Sequence, residues 1–213
     1  MRLTMKHVFW LKLAIHLTAI LPIVYLIGSV LMDKAGGDPV QFIIHYTGIG
    51  ALNTLVILLT LSPIARKFKQ GALLQTRRMI GLYVFAYASL HLASFISLDL
   101  LFEWSLLLSE TVKRPYILVG TFSYIILIAL SVTSFKSIRR KMGKRWQQLH
   151  NCVYLLAILV PIHFYWSVKS EVIEPSIYIV LLSLLLVIRL PLSTFFSSFY
   201  LRLKIKFIEL RSQ

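Results

Sequence analysis

Residues 77–100 read RRMIGLYVFAYASLHLASFISLDL. Two arginines open the stretch, the apolar run 79–98 follows, and Asp99 closes it. At 1.5 Å of rise per residue, roughly 20 apolar residues cross the hydrocarbon core of a bilayer. The segment therefore predicts a spanning helix with a basic end and an acidic end. One ionisable side chain, His91, stands inside the run. Such a group costs free energy in lipid, so its presence is a functional hypothesis by default.

The same reading extends in both directions. Six stretches are long and apolar enough to span: about 8–31, 44–63, 79–98, 116–135, 149–168 and 176–196. The connections are short, so sequential helices are expected to be antiparallel neighbours. The expected fold is an all-α integral membrane protein, one six-helix bundle over 1–213. Mean hydropathy of +0.78 and 58% hydrophobic residues agree. The first stretch is read as a retained helix, because Lys12 and His16 interrupt it and Met32-Asp33-Lys34 is unlike a cleavage site. Arg189 interrupts the last stretch and is expected to snorkel to the near interface. The single cysteine, Cys152, excludes an intrachain disulfide and a CxxC motif. No internal repeat, GxGxxG or P-loop is legible.

A net charge of +15 invites comparison with nucleic-acid binders, but the charges sit in short segments between apolar runs. Arg66, Lys67, Lys69, Arg77 and Arg78 fill the second connection. Lys136, Arg139, Arg140, Lys141, Lys144 and Arg145 fill the fourth. Arg2, Lys6, Arg202, Lys204, Lys206 and Arg211 lie at the termini. With six alternating helices all of these share one side. The other side carries Asp33, Asp38, Asp99, Glu103, Glu110, Glu171 and Glu174, with Lys34, Lys113, Arg114 and Lys169. Basic connections mark the cytoplasmic side, which places both termini inside. The same segments suit anionic membrane lipid, and no nucleic-acid partner is expected.

His91 lies 12 residues beyond Met79, roughly 18 Å along the third span, and His163 lies 14 residues beyond Leu149, roughly 21 Å along the fifth. Two imidazoles at one depth in the outer half of the bilayer suit the axial positions of a haem iron; two separately satisfied bundle histidines are the other reading. His150 stands at the inner end of the fifth span. On an ideal helix it would face about 140° away from His163, unless Pro161 distorts the helix. Thirteen residues before His91 stands Arg78, which cannot ligate iron, so a second haem is poorly provided for. His150 is a candidate for a second haem, a quinone or a flavin, or an interfacial residue. His45, at the start of the second span, and Arg114, beside Pro115 at the outer end of the fourth, are candidates for a haem propionate. Arg77 and Arg78, with Lys144 and Arg145, are candidates for a flavin or quinone site, or topological anchors. His16 reads as a bundle histidine and His7 as interfacial.

The acids are confined to connections, so no Ser-His-Asp arrangement is expected. No catalytic residue is assigned, and hydrolytic catalysis is not expected. A haem-free small membrane transporter or assembly factor is the alternative.

Several strings carry a more specific signal. Thr76-Arg77-Arg78-Met79-Ile80-Gly81-Leu82 leads into His91-Leu92, and Lys113-Arg114-Pro115-Tyr116 is followed by Gly120. Further on stand Trp146-Gln147-Gln148-Leu149-His150-Asn151 and Pro161-Ile162-His163-Phe164-Tyr165-Trp166-Ser167-Val168-Lys169. In these the chain resembles the MsrQ (YedZ) family of the ferric-reductase-like transmembrane group, over nearly its full length. The resemblance implies a multi-pass protein of the bacterial inner membrane. It would take electrons from the quinone pool and pass them through haem b to MsrP, a periplasmic molybdopterin enzyme that reduces methionine sulfoxide. It implies one haem or two, an association with FMN, and a match of the family's histidines to His91, His150 and His163. Relatives with two haems use two histidines on each of the third and fifth spans, whereas this chain has one on the third.

Overall fold

The computed structural model describes residues 4–168 and 170–189. Arg2, Lys169, the four tail cations and the end of the sixth stretch, 190–196, lie outside the described residues. Among the described residues every regular element is helical. The order is α1 (Met5–Leu31), α2 (Pro39–Lys67), α3 (Arg77–Ser94), α4 (Trp104–Lys113), α5 (Pro115–Val132), α6 (Lys136–Met142), α7 (Lys144–His150), α8 (Val153–Ser167) and α9 (Ile173–Val187). Five helical segments are long and apolar enough to cross a membrane: Lys6–Leu31, Pro39–Lys67, Gly71–Asp99, Pro115–Val132 and Lys144–Ser167. Ile173–Val187 is apolar but shorter. The protein is a multi-pass helical membrane bundle.

Local chemistry moves several expected boundaries. The second span begins at Pro39, not at 44, because the Asp38 carboxylate accepts from the Gln41 N–H at 3.0 Å and Pro39 takes the first helical position. His45 is thereby six residues inside α2 rather than at its start. The third span opens through a 3₁₀ turn, Gly71–Thr76, and widens into a π turn, Phe95–Asp99. An unforeseen helix, α4, follows, so Glu110 is helical rather than in a loop. The fifth stretch is two helices, broken at Asn151–Cys152, while α8 continues through Pro161. A helix break at Asn151–Cys152 thus stands between His150 and His163.

The core forms where α2, α3, α5, α8 and α9 meet. Leu52, Leu55 and Leu59 of α2 join Val84, Ile126, Leu127, Leu156, Ala157, Leu182 and Leu185. In lipid such contacts hold through close packing and interhelical hydrogen bonds, since the tails are as apolar as the side chains. Most of α1 stays outside this core: Phe9, Leu17, Leu21, Val24 and Leu31 are exposed, as lipid-facing residues should be. Two polar contacts attach it to α3. Tyr87 donates to the Ala19 carbonyl at 2.7 Å, and His16 Nδ1 meets the Tyr83 hydroxyl at 2.6 Å. Arg189, just past the end of α9, donates to the Tyr154 hydroxyl at 3.1 Å and to the Leu59 carbonyl.

Candidate functional site

His91 comes from α3 and His163 from α8, and the bundle brings them together. Their ring centroids are 6.2 Å apart, with the planes at 84°. Each imidazole is oriented by the backbone of a neighbouring helix. His91 Nδ1 lies 2.9 Å from the Ile44 carbonyl of α2, and His163 Nδ1 lies 2.6 Å from the Tyr116 carbonyl of α5. A carbonyl oxygen can only accept, so each Nδ1 carries the proton and donates. The tautomer is fixed on both rings, and each Nε2 is left with its lone pair. Neither Nε2 makes a hydrogen bond among the described residues. Ile44 lies near the start of α2 and Tyr116 near the start of α5, so the pair sits toward the acid-bearing end of the bundle.

That arrangement has the donor set of a bis-imidazole metal site. A metal–imidazole bond of about 2.0–2.1 Å on either side, plus half the width of each ring, spans about 6 Å. Among the described residues no group of three or more His, Cys, Asp or Glu could hold a metal ion. Two nitrogens alone do not complete a coordination shell. The pair therefore fits a metal whose remaining positions are filled by its own carrier, as a porphyrin fills four around iron.

The other expected residues fall in three places. Tyr116 joins Arg114 to the histidine pair: its ring lies 6.1 Å from that of His163, and its hydroxyl accepts from Arg114 Nη1 at 3.1 Å. That hydrogen bond is the main cause raising the Arg114 pKa further above its already high value. Arg114 also pairs with Glu110 one turn back on the chain. His45 is exposed, pairs with Glu174 at 3.5 Å and lies 5.8 Å from the Phe164 ring. His150 is elsewhere, at the basic end. Its Nε2 meets the Thr133 hydroxyl at 3.0 Å, and its ring stacks on Trp146 at 4.0 Å. Trp146 donates to the Thr133 carbonyl at 2.9 Å and carries the Arg139 guanidinium over its face at 4.4 Å. Arg78 lies over the Phe135 ring at 5.9 Å, and Arg77 is exposed close by in sequence.

Sequence reasoning missed the Ile44 and Tyr116 carbonyls, because every residue has a carbonyl and only the fold selects two of them. It also missed a correspondence: Ile44 and Tyr116, and likewise His91 and His163, stand at one offset of 72 residues. The two hydrogen bonds each span 47 residues. The absence of an internal repeat is thereby corrected for the site, which is built twice, once by α2 with α3 and once by α5 with α8. Side-chain identity hides this, since isoleucine and tyrosine contribute the same backbone atom.

No solved structure is detectably similar to the chain. A family model described as ferric reductase like transmembrane component matches residues 47–161. The match covers more than half of the sequence, including α3 with His91 and all of α5. The chain thus belongs to the ferric-reductase-like transmembrane component family.

Proposed function

We propose that this protein is a membrane electron-transfer subunit that holds haem b between His91 and His163. The observation that carries the reading is the pair itself: two imidazoles on different helices, 6.2 Å apart, each with Nδ1 committed to a carbonyl and Nε2 free. Family membership supports an electron-transfer role in a membrane, and the family is in general haem-binding. Haem, when bound, supplies reversible one-electron chemistry. The chain's own contribution is orientation and electronics. The Ile44 and Tyr116 carbonyls fix ring rotation and increase the basicity of the ligating nitrogens. Arg114 and His45, at the same end, are the groups to hold a propionate. His150, with Arg77 and Arg78 at the basic end, is the candidate contact for a flavin, a quinone or a second haem.

The finer reading rests on the resemblance to MsrQ. Electrons enter from the quinone pool, FMN is associated, and the acceptor is a periplasmic MsrP-like molybdopterin enzyme that repairs methionine sulfoxide. The whole chain, 1–213, acts as one domain in a bacterial inner membrane, with both termini cytoplasmic.

Two measurements test these levels separately. Full-length protein made with adequate haem supply is expected to show a Soret band that shifts on dithionite reduction. A pyridine haemochrome assay against protein then gives the haem number. A flat visible spectrum from folded, haem-supplied material favours the haem-free transporter or assembly factor. In membranes, a quinol should drive reduction of a loaded MsrP-like acceptor; no electron flow in that assay defeats the partner assignment while leaving the haem site standing.

A further inference from the structure

Beneath each imidazole lies a glycine of the helix that supplies the carbonyl. A Cβ added at Gly48 of α2 would stand 3.1 Å from His91 Nδ1 and 3.2 Å from its Cε1. A Cβ added at Gly120 of α5 would stand 2.7 Å from His163 Cε1 and 2.8 Å from its Nδ1. Each glycine is four residues beyond the accepting carbonyl, Ile44 or Tyr116, and so lies one turn further along the same helix face. The two glycines repeat the 72-residue offset of the histidines. Both are helical with ordinary backbone angles, so conformational freedom does not account for them, and glycine weakens a helix relative to alanine. What they supply is room: the ring lies against bare backbone, close enough for its Nδ1–H to reach the carbonyl one turn back.

We propose that Gly48 and Gly120 are positioning residues for the metal-binding imidazoles, with Gly120 the more stringent. The inference rests on the reading of His91 and His163 as ligands. At Gly120 the added carbon falls below the range that real Cβ contacts show, and its neighbour is a ring held by a short hydrogen bond, so the ring must shift and strain that bond. At Gly48 the contact is tight but not prohibitive, so the ring shifts by a few tenths of an ångström. Gly81 provides a matched control, since a Cβ there meets only Leu58 at an ordinary 3.8 Å.

The test uses full-length Gly48→Ala, Gly120→Ala and Gly81→Ala, each expressed with haem supply. Haem per protein, the low-spin electron paramagnetic resonance signal and the midpoint potential are read. Gly81→Ala should match wild type in all three. Gly120→Ala should lose the bis-imidazole signal and at least tenfold in haem affinity. Gly48→Ala should keep haem but show displaced low-spin g-values and a changed potential. Where Gly120→Ala fails to accumulate, Gly120→Ala with His163→Ala should accumulate like His163→Ala alone, because the clash has been removed. Wild-type signals and potentials in both Gly48→Ala and Gly120→Ala overturn the proposal, as does a double variant no better than Gly120→Ala. The ligand reading fails separately, if His91→Ala and His163→Ala retain the bis-imidazole signal.

Discussion

Arg189 donates a hydrogen bond to the Leu59 carbonyl, the very carbonyl that Pro63 leaves without a partner. In α2 the Leu59 oxygen would accept from the N–H four residues on, and proline has none. The Leu59 side chain is fully buried in the core, away from water that could substitute. Arg189 also lies 5.3 Å from the centre of the Tyr154 ring, so one guanidinium ties the turn after α9 to α2 and α8. Pro63 leaves an acceptor in α2, and this cation satisfies it.

Arg189→Met should therefore cost about 1–3 kcal/mol, the range for stranding a buried acceptor. Pro63→Ala restores the helical N–H and removes the need. Thermal unfolding in detergent should show Arg189→Met as clearly destabilising in the wild-type background and far milder beside Pro63→Ala. Simple additivity would mean that Arg189 acts through something other than this carbonyl.

His91→Ala and His163→Ala should each abolish the low-spin haem spectrum, because one axial nitrogen cannot replace two. His150→Ala should retain it, since Nε2 of His150 is engaged by Thr133 at the opposite end of the bundle. Absorption and electron paramagnetic resonance spectra of the three variants decide this. A wild-type spectrum from both His91→Ala and His163→Ala would remove the pair from the site.

Tyr83→Phe tests how α1 is attached. The variant deletes the 2.6 Å contact with His16 and leaves the Tyr87 bond to Ala19 in place. Interhelical hydrogen bonds in lipid contribute about 0.6 kcal/mol on average and up to about 1.7. A melting temperature lower by a few degrees is expected, with the haem spectrum unchanged. An altered spectrum would show that α1 contributes to the site.

Arg114 is expected to hold a haem carboxylate, while Glu110 already occupies part of its guanidinium. Arg114→Gln should speed haem loss to an apoprotein acceptor several-fold, and Glu110→Gln should not, since it frees the guanidinium. Neither should change stability by more than about 1 kcal/mol, because the pair is largely solvent-facing at Arg114. Equal haem-release rates from wild type and Arg114→Gln would exclude the clamp.

The start of α2 shows why helix ends were harder to read than spans. Hydropathy marks where lipid contact begins, near 44, whereas Asp38 and Pro39 mark where the helix begins. The capping signal was present in the sequence but lies outside the apolar run. The break at Asn151–Cys152 carries neither glycine nor proline, and a single asparagine is a weak local sign of it. Its neighbourhood is tertiary: His150 and Trp146 are both fastened to Thr133, the residue that caps the C-terminal end of α5.

By itself the sequence determined the membrane-spanning helical class, the separation of basic from acidic ends, and the two histidines placed at matching depth. These follow from solvent preference and the fixed rise of a helix, which act on each segment alone. Only the tertiary structure decided that His91 and His163 face each other, that the Ile44 and Tyr116 carbonyls fix their tautomers, and that Arg189 meets the Leu59 carbonyl. Those depend on which helices touch and through which turn, and on backbone atoms that every residue shares, so no side-chain pattern could single them out.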